Sequence, residues 1–273
     1  MAAPLLNIIG AGHVGRVFGR LFAHSGGLSV QDVLTRSYAS AAHAVQFMQA
    51  GRAIGAMAEL RRADIWMLAV GDDQIAPVCA QLAATGLLPG ALVFHCSGAK
   101  SSAALKSAAD AGALVASVHP VRSFADPAAV AADFAGTYCG VEGDLARLAP
   151  ALERIGARTV VIDAAAKTVY HAAAVFASNY LVTVLDAALR AYQAAGIPAD
   201  VARELARPLA TETLANVFRL GPATALSGPI ARGDLQTVTR QQQALDDWDG
   251  PTGVLYAALA AATTVLAQKK RGT

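Results

Sequence analysis

Leu5-Leu6-Asn7-Ile8-Ile9-Gly10-Ala11-Gly12-His13-Val14-Gly15 is the stretch whose reading decides the fold of this chain. Residues 5–9 form a short apolar run of the kind that makes a buried parallel strand. The next six residues spell G-x-G-x-x-G. An amphipathic helix follows, with Val14, Val17, Phe18, Leu21 and Phe22 at helical spacing. In this context each glycine has a physical task. Gly10 permits a tight turn, Gly12 lets backbone approach a pyrophosphate, and Gly15 lets the helix pack closely on the strand. The helix N-terminus then presents free N–H groups and the positive end of its dipole to the phosphates. Residues Gly10, Ala11, Gly12, His13, Val14 and Gly15 are therefore expected to cradle a dinucleotide.

The next strand, Ser29-Val30-Gln31-Asp32-Val33-Leu34, ends at Thr35-Arg36-Ser37. A site for NAD places a carboxylate near this point, on the ribose 2′-hydroxyl. This chain offers a guanidinium flanked by two hydroxyls, which suits a 2′-phosphate. Thr35, Arg36 and Ser37 thus predict NADP(H), with Asp32, earlier on the strand, as the one competing acid. A third strand, 64–70, delivers Val70-Gly71-Asp72 to the side expected to face the nicotinamide.

Composition narrows the classes of function. The chain has 273 residues and a net charge of +2, from 22 Lys+Arg against 20 Asp+Glu. That balance supplies no field for nucleic acid or an anionic membrane. Three scattered cysteines, Cys79, Cys96 and Cys139, form neither a disulfide framework nor a zinc motif, which fits a reducing cytoplasm; no metal is expected. The first strand begins within ten residues, leaving no room for a signal peptide. The apolar stretch 169–185 is interrupted by His171, Ser178 and Asn179, so it reads as a helix buried in a helical domain or dimer rather than a membrane span. Lys269-Lys270-Arg271 reads as a solvated helix end.

Alternation of strands and helices continues to about residue 163, with further strands near 91–95, 113–118, 137–141 and 158–162. This predicts an α/β doubly wound parallel sheet over 1–163. Beyond it the period is helical only: about 165–195, 198–220, 235–245 and 253–268. Residues 164–273 are expected to form an all-helical domain for substrate binding and dimerisation. Apolar faces at Val175, Leu181, Leu185 and Leu189, and at Val254, Leu255, Leu259 and Leu266, predict a homodimer through these helices.

Ligands of an open α/β sheet sit beyond the carboxyl ends of its strands. Ser97 and Gly98 follow one strand and offer hydroxyl and backbone donors. His119-Pro120 ends another. On the long helix, Lys167, His171 and Ser178 fall within roughly 40° of one face, and Asn179 lies at its edge. A polar stripe on an apolar helix is costly unless it is satisfied or faces a cleft. Lys167 and His171 are the expected catalytic pair. Ser97, Gly98, His119 and Asn179 are expected at the substrate, with Arg232, in the loop Ser227–Asp234, as a further anion-binding group.

Taken together, residues 10–15, 35–37, 95–99 (His-Cys-Ser-Gly-Ala), 119–120, 170–180 (Tyr-His-Ala-Ala-Ala-Val-Phe-Ala-Ser-Asn-Tyr) and 228–234 (Gly-Pro-Ile-Ala-Arg-Gly-Asp) resemble a bacterial family named as NADP oxidoreductases. That family joins a Rossmann-like domain to a helical C-terminal domain of unassigned function. The plan is more distantly similar to β-hydroxyacid dehydrogenases, ketopantoate reductase, pyrroline-5-carboxylate reductase and prephenate dehydrogenase. The resemblance implies hydride transfer to or from a small oxo-acid, with a ketopantoate-like carboxylate as first candidate. It implies a proton-transfer role for Lys167, with His171 standing where β-hydroxyacid dehydrogenases carry Asn. Ser97-Gly98 matches their carboxylate-holding loop, and His119-Pro120 the His-Pro of prephenate dehydrogenases. An imine or prephenate-type dehydrogenase is the alternative within this class. A non-catalytic NADP-binding sensor or scaffold is the alternative outside it.

Overall fold

The structure, a computed structural model, describes residues 2–271. By compactness the chain divides into two units, Met1–Ser178 and Asn179–Thr273.

The first unit is built on β1 (Leu5–Ile9), α1 (His13–His24), β2 (Ser29–Leu34), α2 (Tyr38–Met48), β3 (Arg52–Ile54), β4 (Ile65–Leu68), α3 (Asp72–Ala83), β5 (Leu92–His95), α4 (Lys106–Asp110), β6 (Leu114–Pro120), α5 (Pro127–Ala132), β7 (Tyr138–Gly143), α6 (Ala149–Arg154), β8 (Arg158–Val161) and α7 (Lys167–Val175). The eight strands form one sheet in the order β3-β2-β1-β4-β5-β6-β7-β8. All neighbours run parallel except β6 and β7, which pair antiparallel from Ala116↔Gly143 to Pro120↔Cys139. The order reverses between β1 and β4, so a crevice opens at their carboxyl ends. Those ends carry Gly10 and Val70.

Helices cover both faces, which is why the central strands are apolar along their length. On one face Leu6, Ile8, Met67 and Phe94 pack with Phe18 and Phe22 of α1 and Met48 of α2. On the other, Ile9, Trp66, Leu68 and Val93 pack with Ile75, Cys79 and Leu82 of α3. The doubly wound sheet expected from the sequence is present, with one antiparallel pair. Two elements escaped the reading. β3 is three residues long and lacks an apolar run, and α5 lies in a short Ala-rich segment capped by Asp126.

The second unit holds α8 (Leu181–Ala194), α9 (Ala199–Leu220), α10 (Pro222–Ala225), α11 (Pro229–Arg232), α12 (Leu235–Trp248) and α13 (Gly250–Arg271). Here α8 packs on α9 and α12 on α13. Arg190 of α8 pairs with Asp186 at 3.0 Å and with Asp249 at 2.8 Å. Lys270 donates to the Leu226 carbonyl at 2.8 Å, so that tail residue helps hold the end of α10.

The compact division falls at 178/179 rather than 163/164. The cause is chemical: side chains of α7 are hydrogen-bonded to the strand ends, as described below. Residues Phe176–Tyr180, between α7 and α8, form a π-helical turn. Two helices, Ala164–Ala194 and Gly250–Lys270, are long and apolar enough to cross a membrane by length and composition. The first was expected, over 169–185, to be buried nearly all round inside a helical domain or a dimer. In its most apolar stretch no residue is buried within the chain.

Candidate active site

Gly10 adopts φ +85°, and a Cβ there would lie 2.6 Å from the Ala69 carbonyl oxygen. Gly15 is equally confined, 2.7 Å from the Gly10 carbonyl. Gly12 differs: a Cβ on it would meet nothing within 4 Å. Its lack of a side chain is thus not required by the protein's own packing. Gly12 is also the N-cap of α1 and supplies no side-chain cap, so the first N–H groups of the helix are left for another acceptor. His13, exposed in the same loop, hydrogen-bonds through Nδ1 to the Phe124 carbonyl at 2.6 Å.

At the end of β2, Arg36 is exposed and makes no hydrogen bond or ion pair among the described residues. Its neighbours have structural work. Thr35 donates to the Ser37 carbonyl at 2.8 Å, and the Ser37 hydroxyl caps α2 by accepting from Ser40 N–H. Asp32 is fully buried. It accepts from Arg61 at 2.7 Å and Arg52 at 3.0 Å. Burial alone would raise its pKa, but these guanidinium contacts outweigh it and hold the carboxyl below the usual range. The competing acid is therefore consumed inside the fold. The residues present fit a dinucleotide with a 2′-phosphate: an open approach at Gly12, uncapped N–H groups, and an unpaired Arg36.

At the end of β4, Val70 packs on Gly10, and Gly71 is the N-cap of α3. Asp72, in the first turn of α3, is exposed, and its charge acts on both Lys167 and His119. One strand end thus packs on the glycine loop and carries a carboxylate whose field reaches the polar centre.

That centre begins with Lys167, only 1% exposed. Its ammonium donates to the Ser97 carbonyl at 3.1 Å and to the Ser117 hydroxyl. Burial pushes its pKa down, and the carboxylates of Glu142 and Asp72 oppose that shift. Lys167 was expected to present its ammonium to a substrate. In the structure it is a buried strut under the loop that follows β5. Ser97 has a structural task as well: its hydroxyl accepts from Ala99 N–H at 3.2 Å and Lys100 N–H at 3.0 Å. Those two amides are spent on Ser97 itself. His95 braces the same loop, accepting from Ser97 N–H at 3.1 Å and bonding the Ser101 carbonyl at 3.0 Å. Glu142 on β7 completes it, accepting from the Ser102 N–H at 2.7 Å and hydroxyl at 2.6 Å.

Above this loop lies Gly98, roofed by imidazoles. A Cβ on Gly98 would collide with the His171 ring and would stand 2.9 Å from Nε2 and Cε1 of His119. The two rings meet edge to face at 5.7 Å. His119 Nδ1 is 2.9 Å from the Tyr170 hydroxyl. Burial, then the neighbouring His171 and Lys167, bring the His119 pKa down to about 4, so the ring is neutral at pH 7. Tyr170 rests on Gly140, where a Cβ would strike its hydroxyl. Burial raises the phenol pKa.

Lys167, Tyr170 and His171 stand at i, i+3 and i+4, the spacing that puts side chains on one helix face. Sequence reasoning found the first and last of these and gave Tyr170 no role, although the spacing contained it. Ser117 and Glu142 were also missed, for they lie on strands and carry no local motif. Ser178 and Asn179 were placed by assuming 100° per residue. The π turn breaks that reckoning, and both are exposed. Asn179 and Arg232 belong to the second unit, where Arg232 is exposed at the end of α11.

Residues 3–120 match the Rossmann-like domain family, and residues 137–263 match the domain of unknown function DUF2520. The two matches follow one another along the chain. Its whole length is similar to protein TM1727 of Thermotoga maritima, at 28% identity and a TM-score of 0.72, covering 97% of this chain and 99% of that one. It is also similar to BF3122 of Bacteroides fragilis, named by inference as an NADP oxidoreductase, at 20% identity and a TM-score of 0.77, covering 96% and 98%. A third similar structure is the reductive aminase of Aspergillus terreus in complex with NADPH4, cyclohexanone and allyl amine, at 15% identity and a TM-score of 0.60, covering 99% and 92%. No curated protein matches the chain. The DUF2520 match begins within the sheet, so the Rossmann-like match carries Ser97, Gly98 and His119, and the DUF2520 match carries Tyr138, Lys167, Tyr170 and His171. The polar centre is assembled from both.

Proposed function

We propose that this protein is an NADP(H)-dependent oxidoreductase that moves a hydride between the nicotinamide and the carbonyl or imine carbon of a small substrate. The observation that supports this most is that the β4 end joins two features. Val70 packs on the glycine loop, and Asp72 acts on the His119 and Lys167 centre. A sensor needs the first feature and has no use for the second. Similarity in fold to proteins named as NADP oxidoreductases and reductive aminases is consistent with this reading.

Bound NADPH supplies the hydride. Gly10, Gly12 and Gly15 would admit its pyrophosphate, and Arg36 would pair with its 2′-phosphate. The substrate would rest beside the imidazoles of His119 and His171, whose rings themselves fill the space directly over Gly98. As hydride adds to carbon, negative charge grows on the carbonyl oxygen or imine nitrogen, and a proton must arrive there. A neutral imidazole donor at His119, with His171 beside it, is suited to polarise that atom. Lys167 would act from beneath, holding the Ser97 carbonyl and contributing positive charge.

The favoured substrate class is a small oxo-acid, ketopantoate-like in the first instance. A cyclic or open-chain imine is the second reading, in keeping with the similarity in fold to the reductive aminase. We further propose a cytoplasmic homodimer. Its support is the apolar surface left by the helices: Val182 is 67% exposed, Phe218 87% and Val254 72%. Following NADPH absorbance over a panel of oxo-acids and imines tests the reaction class. Turnover of an oxo-acid supports the first reading, and turnover of imines alone supports the second.

A further inference from the structure

We propose that Tyr170 is a positioning residue, whose hydroxyl donates to Nδ1 of His119 and so fixes that imidazole with its proton on Nε2, the nitrogen beside Gly98. The catalytic part of this inference rests on the reductase reading above; the hydrogen-bond direction does not.

Three observations carry it. First, Tyr170 Oη and His119 Nδ1 are 2.9 Å apart, and the rings stand at 89° with centroids 5.6 Å apart, so the phenol oxygen lies at the imidazole edge. Second, the phenol is seated. Gly140, opposite His119 in the β6–β7 register, has no side chain, and a Cβ there would occupy the place of the hydroxyl. Of this pair the imidazole nitrogen is the stronger base and the phenol the stronger acid, so the phenol proton is the one donated. Nδ1 is the acceptor in reach. Third, the other ring nitrogen, Nε2, lies against Gly98, 2.9 Å from where a Cβ would stand, and has no hydrogen-bond partner among the described residues.

A phenol O–H donated to the imidazole lone pair stabilises the neutral ring and opposes its protonation. The charged groups around His119 act with it or against it: His171 and Lys167 on α7 oppose a second positive charge, and Asp72 on α3 favours one. The result is a neutral N–H donor that keeps its proton placed toward the substrate over a wide pH range. The opposite arrangement, with Nδ1–H donating to the phenol oxygen, would turn a bare Nε2 toward the substrate and make His119 an acceptor.

The two arrangements predict opposite signs in one experiment. His119 is titrated in 15N-labelled protein by long-range 1H–15N correlation, its signals assigned by their loss in His119→Asn. In Tyr170→Phe, loss of a donor to Nδ1 should raise the His119 pKa and move the Nδ1 shift toward the averaged value of a mixed tautomer. A fall, or no change, overturns the proposal. Should the variant fail to fold, the unaltered protein still decides: a bare Nδ1 supports the proposal and a protonated Nδ1 overturns it. With substrate, Tyr170→Phe should lower kcat roughly tenfold with the KM for NADPH unchanged. A protein that shows the pKa rise but neither binds NADPH nor turns over would overturn the reductase reading and leave the hydrogen-bond assignment standing.

Discussion

The ammonium of Lys167 donates to the carbonyl oxygen of Ser97 at 3.1 Å, tying the first turn of α7 to the loop that follows β5. Seventy residues of chain separate the two partners. This bond couples the helix that bears Tyr170 and His171 to the backbone of Gly98. Replacing Lys167 with Met should leave the Ser97 carbonyl and the Ser117 hydroxyl without their donor. The expected cost is about 1–3 kcal/mol of stability, read by urea denaturation. Turnover should fall by about 10² or more, because the loop and its charge act together in the transition state, while NADPH affinity stays nearly constant. Turnover equal to the parent would show that the loop holds its place without the strut.

The glycine loop offers a sharper pair of variants. Gly12→Ala meets open space in the protein alone and should leave Tm within about a degree, yet weaken NADPH by obstructing the pyrophosphate. Gly10→Ala must accept φ +85° and a contact at 2.6 Å, so it should lower Tm markedly. Thermal melts with and without NADPH separate the two. Equal loss of stability in both would mean that Gly12 is a packing residue.

How much of this was legible in the chain follows from where each signal resides. Gly10–Gly15 and Arg36 were readable because backbone demands and one charge act locally, within a single strand-turn-helix. The fold class was readable because parallel strands covered on both faces must be continuously apolar. The task of Lys167 was not. A lysine at the start of a helix looks the same whether it reaches solvent, substrate or a carbonyl, and its acceptors, Ser97 and Ser117, come from two other strand ends. Asp32 likewise looked free to bind ribose until Arg52 and Arg61, far along the chain, were seen to consume it. Asn179 was placed by an angular count that the π turn changes.

Acid should destabilise the protein through His119. Its folded pKa is about 4, against an ordinary value of 6.5. Between those values the unfolded chain takes up the proton more readily, so stability falls as pH drops from about 6.5 and levels off below about 4. His119→Asn should make that decline shallower. His95, whose pKa burial also lowers, keeps its own share of the slope in the variant. Denaturation midpoints at several pH values between 4 and 7 give the comparison. Parallel curves for parent and variant would place the His119 pKa near its ordinary value.

Light scattering at micromolar concentration should report a dimer. Val182, Val184, Leu209, Phe218, Val254 and Val265 are all exposed in the chain, spread over three helices. Substituting Asp at Phe218, 87% exposed, should shift the protein toward monomer without unfolding it. A parent protein that is monomeric under these conditions contradicts the dimer.

The account stands or falls on the cofactor, and the most direct measurement is a titration of the protein with NADPH and with NADH, repeated on Arg36→Ala. Arg36 is exposed and unpaired among the described residues, while Asp32 is closed off by two arginines. Each charge-assisted hydrogen bond to the 2′-phosphate contributes roughly 1.5–3 kcal/mol. NADPH should therefore bind about ten- to a hundredfold more tightly than NADH, and Arg36→Ala should abolish most of that difference while leaving NADH affinity unchanged. Equal affinity for the two cofactors, tighter NADH, or an Arg36→Ala variant with undiminished preference for NADPH would contradict it.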